Sequence, residues 1–350
     1  MSTSVDKSSG SQSLLTGQNI VYAGIAWAVV SLLFFLLFSV TAPGEDSPFW
    51  YLIGTYILEC LPFLAAALLC FRNWRSPQIA SGRNVWLGIG LGMTLYFVAN
   101  LIFGVWELYF GLDPDVSPAD LFYLISYILI GWGMVLAVLP RRLNLEKKQW
   151  AIVSVIGVLG IVFAFWVWVL APPVAAEADP VAVALAPSEQ AASTAPLPQA
   201  AVASQTPLVA ASPAVKEKTT VTVTDESLEN LPGWVVGLDQ FLSPLSRQVN
   251  FAYIFFDVVL LIIASTLLLA FWGGRFAQSW RMIAAATFSL YIADMGFKYV
   301  DALAKARAQE YESGGLLDIF FVFSAVLFAI GAALEYDVSS RSRRSPRRRP

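Results

Sequence analysis

Apolar residues fill runs of about twenty, the length that crosses a bilayer core, and short polar clusters separate them. The runs are about Ile20 to Val40, Trp50 to Phe71, Trp86 to Leu108, Ala119 to Leu139, Trp150 to Leu170, Phe251 to Trp272, Met282 to Val300 and Leu316 to Leu334. They predict an all-α fold, a polytopic membrane helical bundle with eight transmembrane helices. Only Lys7 precedes the first run and no small-residue cleavage site follows it, so it reads as a retained helix rather than a signal peptide.

The polar positions inside these runs recur. Ser117-Pro-Ala-Asp-Leu-Phe-Tyr-Leu124 and the span that follows are echoed from Leu317 to Gly331. Asp120 falls on Asp318, Phe122 on Phe320, Ser126 on Ser324 and Gly133 on Gly331, each 198 residues on. Upstream, Glu59 falls on Asp257, Trp86 on Trp280, Asn100 on Asp294 and Glu107 on Asp301. Trp27-Ala-Val-Val-Ser31 matches Trp150-Ala-Ile-Val-Ser154, which makes the first and fifth spans partners as well. The pattern reads as a duplicated four-helix unit. An even number of spans per copy sets both copies the same way up, a parallel repeat about an axis along the membrane normal.

Placement of charge gives the orientation, because Lys and Arg resist translocation. Arg72, Arg75 and Arg83 follow the second span, Arg141, Arg142, Lys147 and Lys148 the fourth, Arg275 and Arg281 the sixth, and six arginines the eighth. The loops with Glu45 and Asp46 and with Asp113 and Asp115 carry no base. Both termini are therefore expected in the cytoplasm, and the location expected is a bacterial cytoplasmic (inner) membrane. The organisation follows: a cytoplasmic segment 1–19, a first unit 20–140, a cytoplasmic loop and fifth span 141–171, an Ala/Pro-rich disordered linker outside 172–224, an outer-surface amphipathic segment 225–249, three further spans 250–336 and a basic tail 337–350. In the amphipathic segment Leu228, Leu231, Trp234, Val235, Leu238, Phe241, Leu242 and Leu245 recur at three and four, and Pro232 and Pro244 limit the helix.

Composition agrees with a membrane protein, 57% hydrophobic and only 13% charged. The chain has no histidine, which excludes histidine-ligated haem, His-containing metal sites and a Ser-His-Asp triad. Cys60 and Cys70, the only cysteines, sit in one span and read as core filler. No cofactor is implied. The arginine-rich tail suits anionic lipid headgroups or simply topology, and without a stacking module it gives no reason to expect nucleic acid.

An acid inside a membrane costs roughly 2.5 to 3.5 kcal/mol even on a lenient scale, so acids at matched places ask for an explanation. Asn100 and Glu107, like Asp294 and Asp301, are seven residues apart and share a helix face. Glu107 and Asp301 approach the outer surface, where Asp120 and Asp318 open the fourth and eighth spans, and each half gathers two carboxylates there. Glu59 and Asp257 contribute from deeper. Each has a structural alternative. Asp120 fits a capping box with Ser117 and Pro118; Asp318 lacks the serine, which frees its carboxylate for another task; Asp294 can pair with Lys298 one turn on. Trp106, Tyr123, Tyr127 and Tyr299 are the aromatic lining candidates, either interfacial belt residues or walls for a cationic ligand. These acids and aromatics are the candidate ligand-binding or proton-coupling site; no catalytic set and no metal-ligand spacing is present.

Trp106-Glu107 followed by Ser117-Pro-Ala-Asp-Leu-Phe-Tyr-Leu124 resembles the duplicated membrane-sensor regions found ahead of diguanylate cyclase or kinase domains in some bacteria, and in stand-alone membrane proteins. The resemblance implies a signal-input module. Only fourteen residues follow Tyr336, so no output domain is expected and the signal would pass to a separate membrane or cytoplasmic protein partner. The expectation is a non-enzymatic membrane sensor or scaffold; a secondary transporter or proton-coupled carrier using the intramembrane carboxylates is the alternative.

Overall fold

The computed structural model describes residues 16–40, 47–112, 116–139, 146–170, 231–272, 277–306 and 314–344. Among them the chain forms α1 (Gly17–Phe38), α2 (Phe49–Arg75), α3 (Arg83–Leu108), α4 (Ala119–Val138), α5 (Lys147–Leu170), α6 (Gly233–Leu242), α7 (Ser246–Ala270), α8 (Ala277–Ala306) and α9 (Ile319–Arg344), with no strand. The linker 172–224, Asp225, Glu226, Leu228 and Glu229, the loop residues Glu45, Asp46, Asp113, Asp115, Arg141, Arg142 and Arg275, and the tail beyond Arg344 lie outside the described residues.

Seven helical stretches are long and apolar enough to cross a membrane: α1 to α5, α6 running on into α7, and α9. The protein is thus a multi-pass membrane protein. α8, the seventh expected span, is 30 residues long but has Asp294 and Lys298 in its middle and is not among these stretches. α9 runs to Arg344, a helical continuation of the eighth expected span into the region expected to be tail.

The chain divides into two compact units, residues 1–172 with 237–350, and residues 173–236. In the smaller one the described residues are 231–236, where the Val235 N–H donates to the Pro232 carbonyl at 2.8 Å and opens α6. The prolines limit this helix as expected: it begins after Pro232 and gives way to a 3₁₀ turn, Ser243–Leu245, at Pro244.

In the larger unit α2, α3, α4, α7, α8 and α9 pack in a closed cycle, each against the next and α9 against α2. Contacts on opposite sides of it correspond. Gly133 of α4 lies on Val85 and Ile89 of α3, and Gly331 of α9 lies on Ser279 and Ile283 of α8. A Cβ on Gly133 would stand 2.8 Å from the Val85 carbonyl oxygen, so only glycine permits this approach. Arg83 Nε donates to the Trp74 carbonyl at 2.6 Å, and Arg281 Nη2 to the Trp272 carbonyl at 2.8 Å. Trp86 and Trp280, both fully buried, meet across the cycle with ring centroids 6.0 Å apart.

The outer helices break the correspondence. α1 covers Ile319, Val322, Val326 and Ile330 of α9. The residues 198 earlier on α4 include Leu121, Ile128 and Trp132, half exposed or more at 62%, 50% and 56%. α5 packs instead on α7 and α8, with Gly160 against Leu261 and its carbonyl accepting from Tyr291 at 2.9 Å. The matched tryptophans therefore do different things: Trp150 is exposed, while Trp27 Nε1 donates to the Leu58 carbonyl at 3.0 Å.

That last bond has a local cause. Pro62 lies inside α2 and has no N–H to give Leu58, four residues back. In an apolar medium the freed carbonyl must find another donor, and the indole of α1 supplies it. Trp27→Phe should destabilise the protein by about 1–3 kcal/mol by orphaning that carbonyl. In a Pro62→Ala background, which restores the helical N–H donor to Leu58, the same substitution should cost much less. Melting of the four proteins in detergent checks this; equal costs in both backgrounds would remove the explanation.

Candidate functional site

Glu59 and Asp257 fall on the inner faces of α2 and α7, Asn100, Glu107 and Asp294 on α3 and α8, and Asp120 and Asp318 at the starts of α4 and α9. Carboxylates at helix starts are favourable because the first N–H groups are unpaired and the dipole is positive there. Asp120 Oδ2 accepts from the Ser117 backbone N–H at 2.7 Å and from Ser117 Oγ at 3.2 Å, the capping box read from the sequence. Asp318 caps too. Its Oδ2 accepts from the Gly314 N–H at 2.8 Å, so the missing serine has not freed it: Gly314, with φ of +92°, turns the backbone donor toward the carboxylate.

Around these caps the acids gather into two groups. In the first, Tyr56 of α2 donates to Glu107 Oε2, and Glu59, one turn beyond Tyr56, has Asp318 and Glu107 as electrostatic neighbours. Tyr51 of α2 donates to the Gly314 carbonyl beside Asp318. Asn100 Oδ1 accepts from Tyr123 at 2.7 Å. In the second group, Asp257 and Asp294 are electrostatic neighbours, and Tyr127 donates to Asp294 Oδ2. Lys298 Nζ lies 4.6 Å above the Tyr253 ring and 3.4 Å from Asn250 Oδ1. Tyr253 in turn donates to Asp120 Oδ1 at 2.7 Å.

The expected pairing is thereby corrected. The sequence pairs Asp120 with Glu107 of its own half and Asp318 with Asp301 of its own; instead the hydrogen bond from beyond its own cap comes to Asp120 from α7, and Asp318 stands beside Glu59 and Glu107. The reason is the cycle of helices, in which α4 packs on α7 and α9 on α2. The Asp294–Lys298 pairing is corrected as well, since the ammonium is an electrostatic neighbour of Asp294 but takes Asn250 as hydrogen-bond partner.

Two tyrosines join the groups into one seam. Tyr96 of α3 stacks on Phe63 with centroids 4.2 Å apart, meets Tyr123 edge-on at 4.8 Å, and has Asp294, Asp257 and Glu59 as electrostatic neighbours. Tyr123 neighbours Glu59, Asp120 and Asp294. Of the aromatic candidates, Tyr123 and Tyr127 belong to this seam. Trp106 is buried against Phe110, centroids 5.4 Å apart, and Tyr299 stacks on Trp166 of α5 at 5.3 Å. Asp301 lies half-buried one turn past Lys298.

Tyr51, Tyr56, Tyr96 and Tyr253 escaped the sequence reading. Three of them carry a legible signal: Tyr56 precedes Glu59 by three residues, Tyr96 precedes Asn100 by four and Tyr253 precedes Asp257 by four. Each thus shares a helix face with its polar residue. Among the described residues no group of three or more Cys, Asp or Glu stands close enough together to hold a metal ion. The arrangement can exchange protons and hold positive charge against a wall of phenol rings. No family model, curated protein or solved structure matches the chain.

Proposed function

We propose that this chain is a non-enzymatic membrane sensor or scaffold that acts through separate partner proteins, with the acid and tyrosine seam as its input. It consists in this reading of a four-helix unit duplicated in parallel, eight spans in all, with both termini on the cytoplasmic side of a bacterial inner membrane. The matched glycine contacts, the two arginine-to-carbonyl bonds and the Trp86–Trp280 meeting support the duplication. One observation carries the functional reading. Tyr253 of α7 holds Asp120 at the start of α4, so a change of charge in the seam alters the packing of one half against the other.

The partner is sought by purifying the full chain from its own host's membranes in mild detergent. A protein retained by the full chain and lost when residues 345–350 are removed supports the reading. Retention of no protein at all by the folded chain would overturn it.

A carrier is the second reading, favoured by the position of Asp257 and Asp294 near the middles of α7 and α8. Intramembrane carboxylates on matched helices suit proton coupling in alternating access. Proteoliposomes that take up solute with protons, and stop doing so with Glu107→Gln and Asp301→Asn, would favour it over the sensor.

A further inference from the structure

Two cavities follow one another between α1, α8 and α9. The larger, about 570 Å³, is a groove lined by Ile25 and Ala28 of α1, Phe288 and Ile292 of α8, and Phe323 and Ile330 of α9. The smaller, about 300 Å³, is lined by Gln18 and Tyr22 of α1, Gln278 of α8, and Leu334 and Asp337 of α9. On each helix the second set begins one turn from the first: Tyr22 before Ile25, Gln278 before Arg281, Leu334 after Ile330. The two run end to end, apolar and then polar.

The apolar part suits hydrocarbon. Its serine, Ser289, gives its proton to the Phe320 carbonyl at 2.8 Å, and a water held there would need two to four polar partners. From Arg281 to Ile292 α8 rises about 16 Å, against about 15 Å for half of a bilayer's hydrocarbon core. The groove is as long as one leaflet is deep, the reach of one acyl chain.

Arg281 stands at the polar end. Its Nη2 donates to the Trp272 carbonyl at 2.8 Å, and its guanidinium lies 4.8 Å over the Trp272 ring. A guanidinium has five N–H groups, so donors remain for a phosphate oxygen. Gly331 meets α8 at Ser279 and Ile283, so Asp337, six residues on, lies about 9 Å beyond the level of Arg281. The arginine side chain tilts into that interval, toward the start of its helix. Asp337 Oδ2 accepts from the Gly17 N–H at 2.9 Å, which leaves the carboxylate further lone pairs. Arg72 reaches Asp337 through its field, while its own guanidinium lies 4.1 Å over the Tyr336 ring. A cation followed by an anion complements a headgroup in which phosphate is followed by an amine. Gln18 and Gln278 add amide oxygens that accept N–H donors, which a primary ammonium has and a quaternary one lacks.

α1 makes the second wall. At Gly24 it presses on α9, where a Cβ would stand 3.1 Å from side-chain atoms of Val326 and Ile330. On α4 the counterparts of those two residues, Ile128 and Trp132, are exposed, and α5 packs elsewhere. The cleft is thus a property of one half and not of the repeat.

We propose that this cleft binds one aminophospholipid, with an acyl chain in the groove, its phosphate on Arg281 and its primary ammonium on Asp337. The site is separate from the acid and tyrosine seam and does not rest on the sensor reading. With the orientation given above, the headgroup faces the cytoplasm.

Native mass spectrometry of the full chain, released from vesicles of equimolar phosphatidylethanolamine, phosphatidylglycerol and phosphatidylcholine, tests this. The unaltered protein is expected to retain one phosphatidylethanolamine in excess of the other two. Asp337→Asn, which keeps an acceptor for the Gly17 N–H, should lower that excess about fivefold. Arg281→Gln should weaken retention of all three lipids. Ala285→Phe, which fills the groove, should abolish it. Excess phosphatidylglycerol, equal retention of the three, or an excess unchanged by Asp337→Asn overturns the headgroup assignment; undiminished retention in Ala285→Phe overturns the groove. If Ala285→Phe does not fold, Ala28→Leu on the α1 wall fills the same groove and decides.

Discussion

Gly133→Ala is expected to lower the stability of the protein by about 1–3 kcal/mol, the cost of forcing an extra methyl into a filled interface. Its new Cβ would lie 2.8 Å from the Val85 carbonyl and 2.9 Å from the Ile89 amide nitrogen, backbone atoms that no rotamer change can move. Gly88→Ala meets the same interface from the other helix, 2.9 Å from the Gly133 Cα. Helices inside a membrane gain little from hydrophobic burial against one another, so close backbone approach carries much of the attraction. Both substitutions should therefore lower the melting temperature in mild detergent and prise α4 from α3. Gly237→Ala is the control, since nothing lies within 4 Å of its Cβ. Gly331→Ala should repeat the effect more mildly, as its nearest backbone contact is the Ser279 carbonyl at 3.2 Å. Melting of Gly133→Ala together with the unaltered protein would mean that α3 and α4 are held by something other than this approach.

Close packing of this kind leaves a trace in the sequence, where Gly133 and Gly331 recur at matched places in apolar runs, whereas the partner of each acid leaves none. Hydrophobic length places every long helix, and the two prolines bracket α6, because both are local properties of the chain. The acids were found by their recurrence. Their grouping across halves depends on α4 lying beside α7, and no periodicity within α4 specifies a neighbour more than a hundred residues away. Leu121, Ile128 and Trp132 make the same point from the outside. They repeat the apolar stripe that α1 covers on α9, yet α5 lies elsewhere, since in lipid an uncovered apolar stripe carries no penalty to force a helix onto it. The Leu58 carbonyl likewise could be read as orphaned from Pro62, but its donor, Trp27, is named only by how α1 packs on α2.

Asp120→Ala is expected to cost about 2–4 kcal/mol, since it combines two losses. Removal of the cap leaves the Ser117 N–H without its acceptor, worth about 0.5–2 kcal/mol, and the Tyr253 hydroxyl, on a side chain 8% exposed, loses its partner at a further cost of about 1–3 kcal/mol. A purely local cap and a link between halves make different predictions for a double-mutant cycle. If Asp120 only caps α4, Asp120→Ala costs the same whether residue 253 is tyrosine or phenylalanine. The hydrogen bond from Tyr253 to the carboxylate requires coupling instead: in a Tyr253→Phe background Asp120→Ala should cost less by about 1–2 kcal/mol. Asp318→Ala paired with Tyr253→Phe should be additive, because Asp318 stands with α2 and not with α7. Denaturation of the four proteins in each cycle measures this. Additivity at Asp120 would reduce its carboxylate to a helix cap and break the route by which charge in the seam reaches the packing of α4 on α7; coupling there, with none at Asp318, would tie each cap to the half it faces.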